Sequence, residues 1–371
     1  MNRPNAVIVL AAGQGTRMKS TTPKVLHDMC GRPLLGHAIV AAEESEAQHI
    51  VTVIRHQRDR VAQMVTDFAP DVILADQDEI PGTGRAVQCG LEELIRQTGD
   101  CVGTVVVTSA DVPLLSGRTL TSLTRAHEEA GNAVTVVTTI VEDATGYGRI
   151  VRTGGEVTAI VEHRDATEEQ LAITEINAGI YAFDAEFLSK TLPTLGTDND
   201  QGEVYLTDTI AAAIAQARKC GAFVLEDQWQ AQGCNDRVQL ADLRDEMNRR
   251  ILDEHMRAGV SIISPATTYV DVDVTIAADA RIEPGCILEG ETVVEPFSVI
   301  GPHTTLRHTH IEEGVIFPHG FAFDTRVPAG TVVDPFTEIG PQSLTSTDSS
   351  HFPNSNQPIS NSQHGSADRG E

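Results

Sequence analysis

The residues best placed to do chemistry are Arg17 and Lys24, in the run Leu10-Ala11-Ala12-Gly13-Gln14-Gly15-Thr16-Arg17-Met18 and the Pro23-Lys24 just beyond it. Glycine lets a backbone turn sharply and approach a ligand closely. Successive N–H groups in such a loop cradle an anion, and the two basic side chains add fixed positive charge. The apolar run Val7-Ile8-Val9 just before reads as a buried strand. A strand-loop site for a nucleoside triphosphate is the implied chemistry. A second candidate is Asp111, directly after Val105-Val106-Val107-Thr108-Ser109-Ala110. A carboxylate at the end of a strand suits a hard dication that bridges phosphate oxygens. Taken alone, Asp111 reads equally well as an aspartate opening a turn before Pro113.

Two common phosphate-binding patterns do not fit. The P-loop and the dinucleotide fingerprint both need a glycine where this chain has Met18. The elements that would position the basic pair and Asp111 alternate. Strand-like segments fall at Val7–Ala11, Ile50–Ile54, Val72–Leu74, Val102–Thr108, Ala133–Thr139 and Ile176–Phe183. Helical patterns such as Pro33–Glu44 and Leu120–Ala130 lie between them. This alternation implies an α/β, Rossmann-like, mostly parallel sheet covered by helices, with ligands at the carboxyl ends of its strands. Leu240, Leu243, Met247, Ile251 and Met256 then mark a connecting helix, which Gly259 can end. Beyond it the period changes. Val270, Ile276, Ile282, Leu288, Val294, Ile300 and Leu306 recur every sixth residue, and after a phase break Val327, Val333 and Ile339 resume. That is the pattern of a parallel β-helix. The expected division is residues 1–232 for the nucleotide domain, 233–258 for a linker helix, 259–341 for a short β-helix and 342–371 for a polar tail. The tail, rich in Ser, Asn, Gln and Asp, lacks the aliphatic surface to offset its ordering entropy and is expected to be disordered.

Composition narrows the function. The chain has 371 residues and a net charge of −26, which argues against nucleic acid or an anionic membrane as a bulk partner. Against that background Arg3, Arg17, Lys19, Lys24 and Arg32, opposed only by Asp28, form a basic island around the glycine loop. The six cysteines show no C-x-x-C spacing, which fits reduced thiols in a cytoplasmic protein. No apolar run approaches a membrane span, and no signal peptide is read.

The pattern L-A-A-G-x-G-T-R-x-x-x-x-x-P-K resembles the signature of sugar-phosphate nucleotidyltransferases. More closely, the chain is similar to the bacterial N-acetylglucosamine-1-phosphate uridylyltransferase family of cell-wall (peptidoglycan) precursor synthesis. The further motifs are Pro81-Gly82-Thr83-Gly84, Asp111-Val112-Pro113-Leu114, Thr145-Gly146-Tyr147-Gly148-Arg149-Ile150, Ile160-Val161-Glu162-His163-Arg164-Asp165-Ala166, Glu175-Ile176-Asn177-Ala178-Gly179-Ile180 and Gln201-Gly202-Glu203-Val204-Tyr205-Leu206-Thr207-Asp208. The resemblance covers residues 6 to about 258 closely and the hexad region loosely.

That resemblance implies roles. Leu10, Ala11, Ala12 and Gly13 would hold the nucleotide through their backbone, and Gln77, Gly82 and Thr83 would meet the uracil. Ser109, Ala110, Asp111, Gly148, Glu162, Asn177 and Thr207 would line the N-acetylhexosamine pocket. Asp111 and Asn235 would hold Mg2+; Asn235 alone reads as a turn residue, and only its place in Gly233-Cys234-Asn235 supports the metal reading. Arg17 and Lys24 would be catalytic, stabilising negative charge as the sugar phosphate attacks UTP and pyrophosphate leaves. The implied product is UDP-N-acetylglucosamine. The C-terminal hexads resemble a left-handed hexapeptide-repeat helix, whose members assemble as trimers, so a homotrimer is expected.

Three positions depart from the family. Ala110 stands where glycine is usual, and a methyl there can crowd a substrate and restrict the backbone. Arg85 replaces the usual histidine and Pro81 the usual leucine. These departures leave open another base or sugar, and a non-catalytic nucleotide-sugar-binding paralogue. Bifunctional members of the family acetylate glucosamine 1-phosphate at a second site on a longer β-helix. It uses an L-R-P-G motif, whose nearest counterpart here is Leu306-Arg307-His308-Thr309. The implied chain has the uridylyltransferase activity alone.

Overall fold

The computed structural model describes residues 3–199 and 201–341; the expected polar tail, residues 342–371, lies outside them. A nine-stranded sheet forms the N-terminal part. Its main path runs Cys220–Val224, Val134–Ile140, Glu175–Asp184, Thr104–Ser109, Ala6–Leu10, His49–Ile54, Ile73–Asp76. Its pairs are parallel except those made by Glu175–Asp184, which runs antiparallel to both neighbours, and the hairpin Arg149–Thr153/Glu156–Val161 attached to it. Val7, Ile8 and Val9 are all fully buried. Ile8 faces one apolar cluster while Val7 and Val9 face another. Alternate residues of a strand project to opposite faces, so a strand covered on both sides needs an uninterrupted apolar run.

The sequence pattern places the central strands correctly, with ends shifted by one or two residues. The strand expected from Val102 begins at Thr104, and Val102 is exposed. The Arg149 hairpin and the edge strand Cys220–Val224 go unread in the sequence. Their residues alternate polar and apolar too weakly to stand out.

A helix, Arg237–Arg257, leaves this sheet, capped by the Asp236 carboxylate, which accepts from the N–H groups of Val238 and Gln239, both at 2.9 Å. The Arg250 guanidinium fastens it to the N-terminal part through Asp227, at 2.8 and 3.0 Å. Asn248, a buried residue of the same helix, donates to the Thr268 carbonyl at 2.9 Å and accepts from Val270 N–H at 3.0 Å. The helix is thereby fixed to the first coil of the C-terminal part. Gly259, at φ 103°, ends it.

The strands of this C-terminal part pair in parallel, as a β-helix requires. Ile262, Ile282, Ile300 and Phe317 stack in one column, and Val270, Leu288, Leu306, Ala322 and Ile339 in another. Ile276, Val294, Ile311 and Val327 make the third. The phase break is no break in the coil. Ile311, Phe317 and Ala322 fill the inward positions at spacings of five or six, and seven-residue strands Thr305–Ile311 and Phe321–Val327 run across two sides.

Candidate functional site

At the carboxyl end of the parallel strands lies an open cavity of about 700 Å³. The glycine loop forms its floor. Ala110 N–H donates to the Leu10 carbonyl at 3.0 Å and Ala11 N–H to that of Val53 at 2.8 Å, so the loop springs from a fixed sheet edge. Gly15 takes a left-handed φ of 63°, and a Cβ there would lie 2.5 Å from Lys24 Cβ. Glycine is needed for the loop to close over the lysine stem.

One wall is the segment from Gln77 to Thr83. The Gln77 amide donates to the carbonyls of Ile80 and Gly82, at 3.0 and 3.2 Å, which shapes the turn. Gly82 sits at φ 118° against the Val204 backbone, and a Cβ there would lie 2.3 Å from the Val204 oxygen. Val204 N–H donates to the Pro81 carbonyl and Gly84 N–H to that of Val204, at 3.0 and 2.8 Å, which straps this wall to the segment around Val204.

The far wall comes from the hairpin and the antiparallel strand. A register shift between Asn177 and Tyr181, with Gly179 at φ 73°, interrupts the ladder. Such bulges re-aim side chains. Asn177 lines the cavity beside Gly148 and Glu162, its N–H donates to the Gly148 carbonyl at 2.9 Å, and its side-chain oxygen accepts from Gly179 N–H at 2.9 Å. The Glu162 carboxyl makes no hydrogen bond or ion pair within the described residues. Burial raises its pKa above the usual carboxylate value, and the nearby carboxylates of Asp165 and Asp208 add to the rise. Burial likewise raises the Tyr147 hydroxyl on the same wall, with Asp111 and Asp143 adding to it.

Four polar side chains from distant parts of the chain meet at the centre. Lys24 Nζ contacts Asp111 Oδ2 and lies 3.4 Å from Asn235 Oδ1. Arg17 donates to the same Asn235 oxygen at 2.8 Å. Two backbone N–H groups fix the loops beneath them: Cys234 N–H donates to the Asp111 carbonyl at 2.8 Å, and Asn235 N–H to the Gln239 side-chain Oε1 at 2.7 Å. Two hard oxygens, one carboxylate and one amide, fit a divalent cation that takes its other ligands from phosphate and water. Among the described residues no group of three or more His, Cys, Asp or Glu is placed to bind a metal by itself.

The cavity is lined by Leu10, Ala11, Ala12, Gly13, Lys24, Gln77, Gly82, Thr83, Ser109, Asp111, Gly148, Glu162, Asn177 and Asn235. Three expected residues stand off it. Arg17 reaches its centre only through Asn235. Thr207 is 8% exposed and precedes the helix Asp208–Ala215. Ala110 is fully buried and belongs to the apolar cluster that also holds Val7 and Val9. Its methyl is packed in that cluster and Ala110 is not among the residues that line the cavity. Arg85 also turns outward, pairing with Asp78 at 2.6 and 2.9 Å. Sequence reasoning missed Arg55, His56, Tyr147 and Glu203 as lining residues. Arg55 and His56 directly follow the strand His49–Ile54, and that place at a carboxyl end was the available signal.

A triphosphate-sized cavity over a glycine loop at the carboxyl edge of a mostly parallel sheet, with a basic pair and a carboxylate at its centre, defines a nucleotidyltransferase. Residues 7–175 match the MobA-like NTP transferase domain. The bifunctional protein GlmU of Kineococcus radiotolerans is 51% identical over 338 residues, spanning 91% of this chain and 68% of the relative. Those of Paenarthrobacter aurescens and Streptomyces coelicolor are 50% and 48% identical over 341 residues each, spanning 91% of this chain and 68% and 69% of theirs. The chain belongs to the GlmU family.

Proposed function

We propose that this chain transfers the uridylyl group of UTP to N-acetylglucosamine 1-phosphate, giving UDP-N-acetylglucosamine for peptidoglycan synthesis. The observation that carries this reading is the convergence of Arg17, Lys24, Asp111 and Asn235 between two different walls. The uracil is read by Gln77 and by the backbone at Gly82 and Thr83, whose fixed donors and acceptors suit its edge. The loop Leu10–Gly13 holds the nucleotide. Gly148, Glu162 and Asn177 receive the sugar, with carboxylate and amide groups for its hydroxyls and acetamido N–H. Ser109 and Asp111 border the same space.

A phosphate oxygen of the sugar attacks the α-phosphorus of UTP. The new P–O bond forms as the α–β bridge breaks, and pyrophosphate leaves with the bonding pair. No protein nucleophile takes part. The chain contributes orientation and charge. Lys24 and Arg17 stabilise the negative charge that grows on the transferring and leaving phosphates. Asp111 and Asn235 would hold Mg2+, which would supply neutralisation of phosphate charge.

The β-helix supports a homotrimer, since coils of this kind present flat faces that bury against each other. Light scattering on the intact chain would give the mass of three chains, and a monomer would reject it. No helix among the described residues is long and apolar enough to cross a membrane, and cytoplasmic location is our reading. Residues 306–309, Leu-Arg-His-Thr, support the absence of acetyl transfer from the coils present. Incubation with acetyl-CoA and glucosamine 1-phosphate should then release no CoA thiol above background. A substrate panel tests the main reading. UTP with N-acetylglucosamine 1-phosphate should be the best pair among the common nucleotides and sugar phosphates. Preference for another base or sugar would redirect it.

A further inference from the structure

The ammonium of Lys24 lies where the cation of this reaction is expected. It contacts Asp111 Oδ2 and sits 3.4 Å from Asn235 Oδ1, the two oxygens assigned to the metal. Arg17 takes the remaining reach of Asn235 Oδ1, at 2.8 Å. The Lys24 and Asp111 side chains are only 13% and 17% exposed, so water screens the pair weakly. Meanwhile the backbones that carry the ligands are already locked together by the Cys234–Asp111 bond. Only side chains need move for a cation to enter.

We propose that Lys24 is a place-holder: it occupies the cation position in the free enzyme and moves onto the triphosphate when nucleotide and metal arrive together. The proposal rests on the reading of Asp111 and Asn235 as metal ligands and adds a regulation to that site. A divalent cation on these two oxygens competes with the ammonium for them and is repelled by it at such short range, so a cation arriving alone works against an ammonium that has no better acceptor. Triphosphate supplies that acceptor. Nucleotide and cation then favour one another's binding through Lys24, a coupling that is reciprocal by necessity. The arrangement also keeps Asp111 from standing as an unpaired carboxylate in a chain of net charge −26. Gly15 contributes by closing over the lysine stem, so the side chain swings from a fixed root.

The expected effect is counterintuitive for a catalytic lysine: removing it should tighten metal binding. Lys24→Met and Lys24→Gln keep the stem and lose the charge. With the full chain and Mn2+ alone, free Mn2+ is read by electron paramagnetic resonance, with no substrate present. Both variants should bind Mn2+ roughly tenfold or more tightly than the wild type, within the usual range of coupling between sites. Adding Asp111→Asn to Lys24→Met should abolish the gain. Equal or weaker Mn2+ binding in both lysine variants, with wild-type binding still lost on Asp111→Asn, would overturn the place-holder and leave the ligand assignment standing. A gain that survives Asp111→Asn would put the cation elsewhere and bring down the ligand assignment, and the proposal with it.

Discussion

Replacing Ala110 with glycine separates two accounts of the residue before Asp111. In one, the methyl crowds the substrate, and its removal speeds turnover. In the structure the methyl is fully buried, within the apolar cluster that also holds Val7 and Val9. Ala110 is not among the residues at positive φ, so glycine relieves no strain. The loss of one buried methyl costs about 0.8 kcal/mol of transfer free energy. The extra freedom of glycine in the unfolded chain costs roughly 0.5–1 kcal/mol more. Ala110→Gly should therefore destabilise the N-terminal part by about 1.5 kcal/mol, with kcat and KM within twofold of wild type. A shift of about 2–4 °C in melting temperature accompanies each kcal/mol in a unit of this size. Thermal unfolding followed by circular dichroism reads the first quantity and pyrophosphate release the second. A variant that melts like wild type and turns over several-fold faster would refute the reasoning and return the methyl to the substrate space.

Glu162 gives a pH signature. Its folded-state pKa is raised, chiefly by burial, so the charged form is penalised above its ordinary value and the penalty vanishes as pH falls through that ordinary value. Glu162→Gln should stabilise the fold at neutral pH and not at acid pH, as thermal melts across pH would show. The same substitution should raise KM for the sugar phosphate at neutral pH and remove the acid-side rise in KM expected of the wild type. Asp236→Ala, which loses a cap on two N–H groups, should lower stability by about 1 kcal/mol in thermal melts. Lys24→Ala should slow turnover by up to about 10³-fold in steady-state assays, the scale of one transition-state charge contact.

Much of the fold was legible because its constraints are local. Val7-Ile8-Val9 reads as a strand covered on both faces, and the hexads from Val270 to Leu306 read as coils because an aliphatic side chain fills the inward position at every sixth residue. The passage from Ile311 to Ala322 was not legible. Its inward residues come at spacings of five as well as six, and only the pairing Leu306–Ala322 restores the column. The site was legible where a type of residue is demanded by chemistry, as at Lys24 and Asp111. Ala110 and Thr207 show the limit. A motif gives the order of residues along the chain, whereas the direction of a side chain depends on the packing beneath it. Arg55 and His56 were missed for the complementary reason: they carry no pattern, and only the sheet brings them to the cavity that Gln77 also lines.

The most direct test is pyrophosphate release by the full chain from UTP and N-acetylglucosamine 1-phosphate with Mg2+, run beside Asp111→Ala. The account predicts release that needs both substrates and the cation, with UDP-N-acetylglucosamine formed in equal amount, and near-complete loss in a variant that stays folded. Wild-type turnover by Asp111→Ala, or no release by the wild type with both substrates present, would contradict it.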